Sequence, residues 1–135
     1  MARVTTLLWI SAAVLPAAVL LNASAGALQA AALQANADAG ADTFDRDCSD
    51  CHSVSPKQTN RKGPTLFNVF GRRAGTVNGF DYSARMRASG IVWTASTLNA
   101  YLANPQATVP GGKMKKGVPQ PSDRANLIAF LERPE

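Results

Sequence analysis

An apolar run over residues 7–21 dominates the beginning of the chain. Arg3 precedes this run and Ala23-Ser24-Ala25 follows it, which is the order of a cleavable export signal. The alternative is an uncleaved membrane anchor, because the run lies at the short end of the lengths that span a bilayer. We predict a signal peptide over residues 1–25, a flexible segment over 26–39 and one domain over 40–135.

Beyond the leader, apolar side chains recur at helical spacing only in short segments. We predict Thr94 and Ser122 as N-caps, and Pro105 as the end of one helix. No strand alternation and no internal repeat occur, so the expected class is all-α with three to four short helices. The predicted helices cover residues 40–50, 82–89, 94–104 and the segment after 122, joined by long loops at 53–79, with at most a brief helical turn, and at 106–121.

Helices this short do not make a sufficient core by themselves. Loops of such length in a compact domain are usually functional or wrapped around a ligand. A domain of about 100 residues also gains only modest stability from its apolar core. We therefore expect a large buried cofactor to complete the interior.

The charge balance is basic, with 14 Lys and Arg against 9 Asp and Glu and a formal net charge of +5. Loss of Arg3 with the signal would leave the domain moderately basic. This suggests acidic protein partners or a transient association with a membrane surface, and a mixed solvated surface is the simpler alternative. No nucleic-acid motif accompanies the charge, so we expect no nucleic-acid partner.

The most informative segment is Cys48-Ser49-Asp50-Cys51-His52, which has the C-x-x-C-H spacing of haem attachment. Two thiols on one turn can each add to a haem vinyl group, and the adjacent histidine then lies beside the iron. A redox-active dithiol would be expected beside a βαβ pattern, and a zinc site needs four ligands where the chain has two Cys and one His. A plain disulfide stays open as the other alternative in an oxidising compartment.

The axial ligands of the iron follow from the inventory of side chains. His52 is the single histidine, which excludes a bis-histidine haem within one chain, so a second protein ligand should be methionine. Met86 falls in a helical segment and suits a core position. Met114 lies in an irregular, lysine-rich segment that could place its thioether over the iron. We predict Met114 as the sixth ligand.

Motifs along residues 40–131 resemble class I c-type cytochromes of the mitochondrial and bacterial periplasmic kind. The matching residues are Gly40 and Phe44, Gly63-Pro64-Thr65-Leu66-Phe67, Phe70-Gly71-Arg72, Gly79-Phe80-Asp81-Tyr82, Gly90-Ile91-Val92-Trp93, Tyr101-Leu102-Ala103-Asn104-Pro105, Pro110-Gly111-Gly112-Lys113-Met114 and Leu127-Ile128-Ala129-Phe130-Leu131. The resemblance implies the class I cytochrome c fold, wrapped around one covalently bound haem c with its iron.

Further residue roles are implied by the resemblance. Pro64 would accept a hydrogen bond from the His52 ring, and Tyr101 would lie near the sulfur of Met114. For Tyr101 and Trp93 the alternative role, simple aromatic packing, stays open. Gly40 and Phe44 would let the first and last helices approach closely. The donors to a haem propionate would be Arg72, Tyr82 and Trp93.

The loop around Met114 departs from the family pattern. Gly112 stands where the family usually has threonine, and Lys115-Lys116-Gly117 stands where an aromatic residue commonly covers the haem edge. We therefore expect this loop to be more mobile and wetter than in relatives, with a weaker bond between methionine and iron.

The resemblance implies a monomeric, monohaem electron carrier rather than an enzyme, shuttling single electrons in the periplasm. Implied partners are a quinol-oxidising cytochrome bc-type complex, a terminal oxidase, a reaction centre or a dehydrogenase. Open alternatives are an open-iron haem enzyme or gas-binding protein, and a dedicated subunit of one dehydrogenase. The position of Cys48 excludes the class II cytochromes. The cations expected around the exposed haem edge are Lys57, Arg61, Lys62, Arg73, Lys113, Lys115 and Lys116.

Overall fold

The structure is a computed structural model that describes residues 35–57 and 60–133. The predicted signal peptide and most of the predicted flexible segment lie outside these residues. Within the described part of the chain the only β-structure is an isolated bridge between Arg73 and Val92, which confirms the all-α class. The helices are α1 (Ala37–Asp47), α2 (Ala84–Ala88), α3 (Ala95–Ala103), α4 (Pro105–Thr108) and α5 (Pro121–Glu132).

Helix α1 begins and ends earlier than the apolar pattern indicates. The side chain of Asn36 accepts hydrogen bonds from the backbone N–H groups of Asp38 and Ala39, and this cap sets the start of the helix at Ala37. Cys48 follows as the C-cap, so the predicted last turn of the helix is instead a tight turn. This turn carries both cysteines.

Helix α3 has the predicted N-cap. Thr94 and Thr97 form a capping box in which each side chain accepts the other's backbone N–H. Pro105 ends α3 as expected, but it also starts the unpredicted helix α4, because a proline at the first helical position leaves no N–H without a partner. Asn104 caps α4 by accepting from the N–H of Ala107.

Helix α5 corrects one prediction. Ser122 lies inside the helix and is not its N-cap, which is Gln120. The physical reason is Pro121, whose fixed φ suits the first helical turn and starts the helix one residue before Ser122. None of the helices in residues 35–57 and 60–133 has the length and hydropathy needed to cross a membrane.

The first and last helices pack closely, as the sequence suggested. A Cβ atom on Gly40 would lie 2.1 Å from the carbonyl oxygen of Asn126, so only glycine fits at this crossing. The rings of Phe44 and Phe130 pack beside it with centroids 5.6 Å apart. Leu127 on α5 is 1% exposed. This crossing fixes the end of α1, and therefore the cysteine turn, against the core.

Arg124 is a buried charged residue whose role the sequence pattern did not indicate. From α5 its Nη1 donates to the carbonyls of Val118 and Pro119 at 2.9 and 2.7 Å, and its Nε donates to Oδ1 of Asn99 at 2.9 Å. The bond to Val118 is buried and satisfies a carbonyl that would otherwise lack a partner away from water. Arg124 thus joins the segment before α5 to α3.

Candidate functional site

A cavity of about 360 Å³ lies between the cysteine turn, α3, α5 and the loops. Its wall is largely apolar, with Leu98, Leu102 and Leu127 among the lining residues. All the predicted site residues line this one cavity, although they come from distant parts of the chain. They are Cys48, Cys51, His52, Pro64, Arg72, Tyr82, Trp93, Tyr101 and Met114.

The cysteine turn presents two free thiols to the cavity. The backbone N–H groups of Cys51 and His52 both donate to the carbonyl of Cys48, at 3.0 and 2.9 Å, which places the three side chains on a single turn. Burial raises the pKa of the Cys48 thiol to about 11. Redox-active dithiols need a lowered pKa, so this environment opposes that alternative.

His52 is held in one tautomer by Pro64. Its Nδ1 lies 2.7 Å from the Pro64 carbonyl oxygen, which can only accept, so Nδ1 carries the proton and Nε2 keeps its lone pair. Burial lowers the pKa of His52, and the bond to Pro64 opposes this only in part. A neutral imidazole with a free Nε2 is the form that binds a metal.

Gly63 is a site residue, and the motif alone did not show why a glycine is required at this position. A Cβ on Gly63 would lie 2.4 Å from Cε1 and 2.7 Å from Nε2 of His52. The Gly63 N–H donates to the Cys51 carbonyl at 2.7 Å, so the chain passes directly over the imidazole. Only a residue without a side chain leaves room for the ring there.

Two of the three residues predicted to donate to a haem propionate, Arg72 and Tyr82, have partly buried polar groups. Arg72 is half-buried and donates from Nη1 and Nη2 to the carbonyls of Phe67 and Thr65 at 2.8 and 2.7 Å. A guanidinium has five N–H groups, so donors remain after these two bonds. Burial raises the pKa of Tyr82, and a hydrogen bond with the backbone of Val77 and the charge of Arg72 partly oppose this.

Aromatic packing forms the wall at α3. The rings of Trp93 and Tyr101 have centroids 5.1 Å apart and are tilted by 56°. Both side chains are buried, and burial raises the pKa of Tyr101 to about 12. Packing against each other therefore accounts for the positions of both rings. The predicted hydrogen bond from Trp93 to a propionate and the predicted place of Tyr101 near the Met114 sulfur stay predictions.

Both methionines of the domain line the cavity. Met86 is 8% exposed on α2 and belongs to the apolar core, as predicted. Met114 is half-buried on the irregular segment between α4 and α5. The structure thus brings a second thioether to the cavity, and the choice between the two as metal ligand stays a prediction.

The Met114 loop, residues 109–120, is bonded to the rest of the domain at several points. Lys113 pairs with Asp81, and Lys116 Nζ lies 3.0 Å from Oδ1 of Asp47. Gln106 donates from Nε2 to the carbonyl of Met114 at 2.7 Å. These bonds hold the loop against the rest of the domain. The expectation that the loop is unusually mobile stays a prediction.

Positive charge lies in part of the cavity wall. Lys57, Arg61 and Arg73 do not line the cavity, and their predicted place around the haem edge stays a prediction. The cations in its wall that were predicted for the haem edge are Lys62, Lys113, Lys115 and Lys116.

Comparison with known proteins agrees with this geometry. A family model described as cytochrome c matches residues 37–133. The chain is 42% identical over 101 residues to a cytochrome c of Arabidopsis thaliana, covering 74% of this chain and 90% of the relative. It is 45% identical over 94 residues to cytochrome c 2.1 of Caenorhabditis briggsae, covering 69% and 83%. It is 47% identical over 87 residues to cytochrome c2 of Rhodomicrobium vannielii, covering 64% and 70%.

Proposed function

Because the chain belongs to the cytochrome c family, we propose that it shuttles single electrons between redox complexes, with its haem attached through Cys48 and Cys51 and its iron bound by His52 and Met114. The protein is a class I c-type cytochrome with one covalently attached haem c, and it is an electron carrier, not an enzyme. Bound haem supplies an iron that changes reversibly by one electron.

The residues of the cavity fit that group. A largely apolar wall suits a flat, mostly apolar macrocycle, and two free thiols on one turn suit its two covalent links. The observation that carries the proposal is the fixed imidazole. His52 donates through Nδ1 to Pro64 and keeps Nε2 for a metal, which is the usual arrangement of a metal-binding histidine and its hydrogen-bond acceptor.

Met114, on the loop between α4 and α5, would supply the second protein ligand of the iron. A thioether on the iron raises the reduction potential relative to a second histidine. If His52 and Met114 both bound the iron, they would leave no position for a substrate, which supports carriage and not catalysis. In the described residues no second histidine exists to act as a distal acid or base, because His52 is the only one in the chain.

The remaining predicted side chains would orient the cofactor and shield it. Arg72, Tyr82 and Trp93 would donate hydrogen bonds to a propionate, and Arg72 would also offset its negative charge. Trp93 and Tyr101 are buried and would shield part of the bound group from water. A group held and shielded in this way would change little between two oxidation states, which favours fast electron transfer.

The exposed lysines around the cavity support weak, salt-sensitive docking to acidic surfaces. The partners we propose are a quinol-oxidising cytochrome bc-type complex on the donor side and a terminal oxidase, reaction centre or dehydrogenase as the other partner. The protein would act as a monomer. Weak binding suits a shuttle because the carrier must leave each partner after transfer.

We also propose that the protein works in the periplasm after removal of residues 1–25. The support is the order of charge, apolar run and small residues at the beginning of the sequence. Mass spectrometry of the holoprotein from a periplasmic fraction would test this. A mass that includes residues 1–25, found in the membrane fraction, would favour the anchored alternative.

The test of the proposed ligands is the weak sulfur-to-iron absorption band in the near infrared of the oxidised protein. Met114→Leu removes the sulfur while keeping the side-chain volume close, so the band should disappear. Met86→Leu is the matched control and should keep the band, since Met86 belongs to the core. Loss of the band in Met86→Leu alone would reassign the ligand. A high-spin wild-type spectrum that changes with carbon monoxide would favour an open iron site.

A further inference from the structure

We propose that Gln106 is a positioning residue for Met114, whose side-chain amide holds the Met114 loop in place for iron binding. The inference rests on the proposed ligation by Met114. It assigns a role to a residue outside the cavity wall, on the short helix α4 that the sequence pattern did not predict.

The amide of Gln106 uses all of its polar groups on this loop. Its Nε2 donates to the carbonyl of Gly112 at 3.0 Å and to the carbonyl of Met114 at 2.7 Å. Its Oε1 accepts from Nζ of Lys115 at 2.9 Å. One side chain therefore holds the backbone at Gly112 and at Met114, the two neighbours of Lys113.

The loop needs such an outside donor. Gly112 has no side chain and is buried, so it offers no hydroxyl to bind the neighbouring backbone. A Cβ there would already lie 3.0 Å from the Val109 carbonyl oxygen. Both amide hydrogens of a glutamine on α4 reach the two carbonyls, which a single hydroxyl could not do at once.

Arg124 ties the end of the loop at Val118 and Pro119, but the lysine pairs on either side of Met114 are of a weaker kind. Lys113 and Lys116 pair with carboxylates at the surface, and both lysine side chains are more than half exposed. Salt screens such pairs, and each contributes little. The two bonds from Gln106 are uncharged and part-buried, so they should hold the loop at physiological and high ionic strength alike.

The test measures how readily imidazole replaces methionine on the ferric iron of the holoprotein. Imidazole binds only when the loop has released the methionine, so its apparent affinity follows the fraction of open loop. Gln106→Ala should raise that affinity about tenfold, the ratio for about 1.4 kcal/mol, which is the order expected for two neutral hydrogen bonds. The increase should persist at high salt.

Gln106→Glu separates donation from other roles. It keeps the size of the side chain and strengthens the contact with Lys115, but it replaces both donors with an acceptor that faces two carbonyls. We expect imidazole affinity to rise at least as much as in Gln106→Ala. Affinity that stays at the wild-type value in Gln106→Glu would overturn the proposal, because packing or the Lys115 contact would then suffice.

One variant serves as the control and should bind imidazole as the wild type does. Thr108→Ala alters the same helix at a hydroxyl that lies 3.2 Å from the carbonyl oxygens of Ala100 and Asn104, either of which can accept its hydrogen, and that has no bond to the loop. A tenfold effect in Thr108→Ala would show that any disturbance of α4 opens the loop, which would also overturn the proposal.

Hydrogen exchange of the loop amides is the second readout, and it does not depend on which group binds the iron. The N–H groups of Gly112 and Val118 are bonded to the carbonyls of Val109 and Leu102 at 2.9 and 2.7 Å. Their exchange should accelerate in both Gln106 variants. Unchanged exchange would overturn the role of Gln106. Absence of the sulfur-to-iron band in wild type would instead refute ligation by Met114.

Discussion

Replacing Gly40 with alanine should destabilise the protein, although alanine is the better helix former. At an exposed helical position this change stabilises by up to ~1 kcal/mol. At Gly40 the added Cβ would lie 2.1 Å from the carbonyl oxygen of Asn126 and 2.7 Å from Cβ of Phe130. Since one of these neighbours is backbone, α1 and α5 would have to separate.

The expected size follows from comparing the two effects. Forcing an extra methyl group into a packed contact costs about 1–3 kcal/mol, and an overlap with backbone belongs at the upper end of that range. After subtraction of the gain in helix propensity, the net loss is about 2 kcal/mol. For a domain of this size that corresponds to a fall in Tm of roughly 8–16 °C.

Guanidinium unfolding of the ferric holoprotein, followed by far-UV circular dichroism, measures this loss. The variants Asp42→Ala and Asp42→Gly form the matched control, because Asp42 is exposed on the same helix. Their difference gives the propensity effect in α1 without a clash. If Gly40→Ala is as stable as the wild type or more stable, the claim that α1 and α5 cross too closely for a Cβ at residue 40 is refuted.

Three further changes test other parts of the structure. Gly63→Ala should turn the His52 ring away from its position and alter the haem absorption spectrum, because the new Cβ would lie 2.4 Å from Cε1; an unaltered spectrum would contradict the close passage. The bond from Lys116, more than any other interaction, lowers the pKa of Asp47, so this carboxylate stabilises the fold above its ordinary pKa and ceases to do so as acid protonates it. Asp47→Asn should therefore cost ~0.2–1 kcal/mol near neutral pH and nothing in strong acid, and an equal loss in denaturant titrations at both pH values would exclude the ion pair as its cause. Burial raises the pKa of Tyr101 to about 12, so its contribution to stability is complete below pH ~10 and declines as the pH rises towards the folded value; ultraviolet titration that ionises it near pH ~10 in the folded protein would refute its burial.

The sequence allowed the cysteine turn and most helices to be predicted because those features are local. The attachment turn depends on residues 48–52 alone, and the start of α3 depends on the pair Thr94 and Thr97. The errors were local too. Asn36 and Pro121 each start a helix earlier than the apolar pattern does, since a cap and a proline act on backbone groups that hydropathy does not report.

The sequence alone predicted a covalent haem, because the spacing of two thiols and one histidine depends on a few consecutive residues, and the match to the cytochrome c family supports it. Only the tertiary structure decided how the rest of the chain serves that group. It brought Met86 and Met114 to the same cavity and placed Gln106 against the Met114 loop. Such contacts join distant residues, and their distances depend on how helices and loops pack, which no local pattern contains.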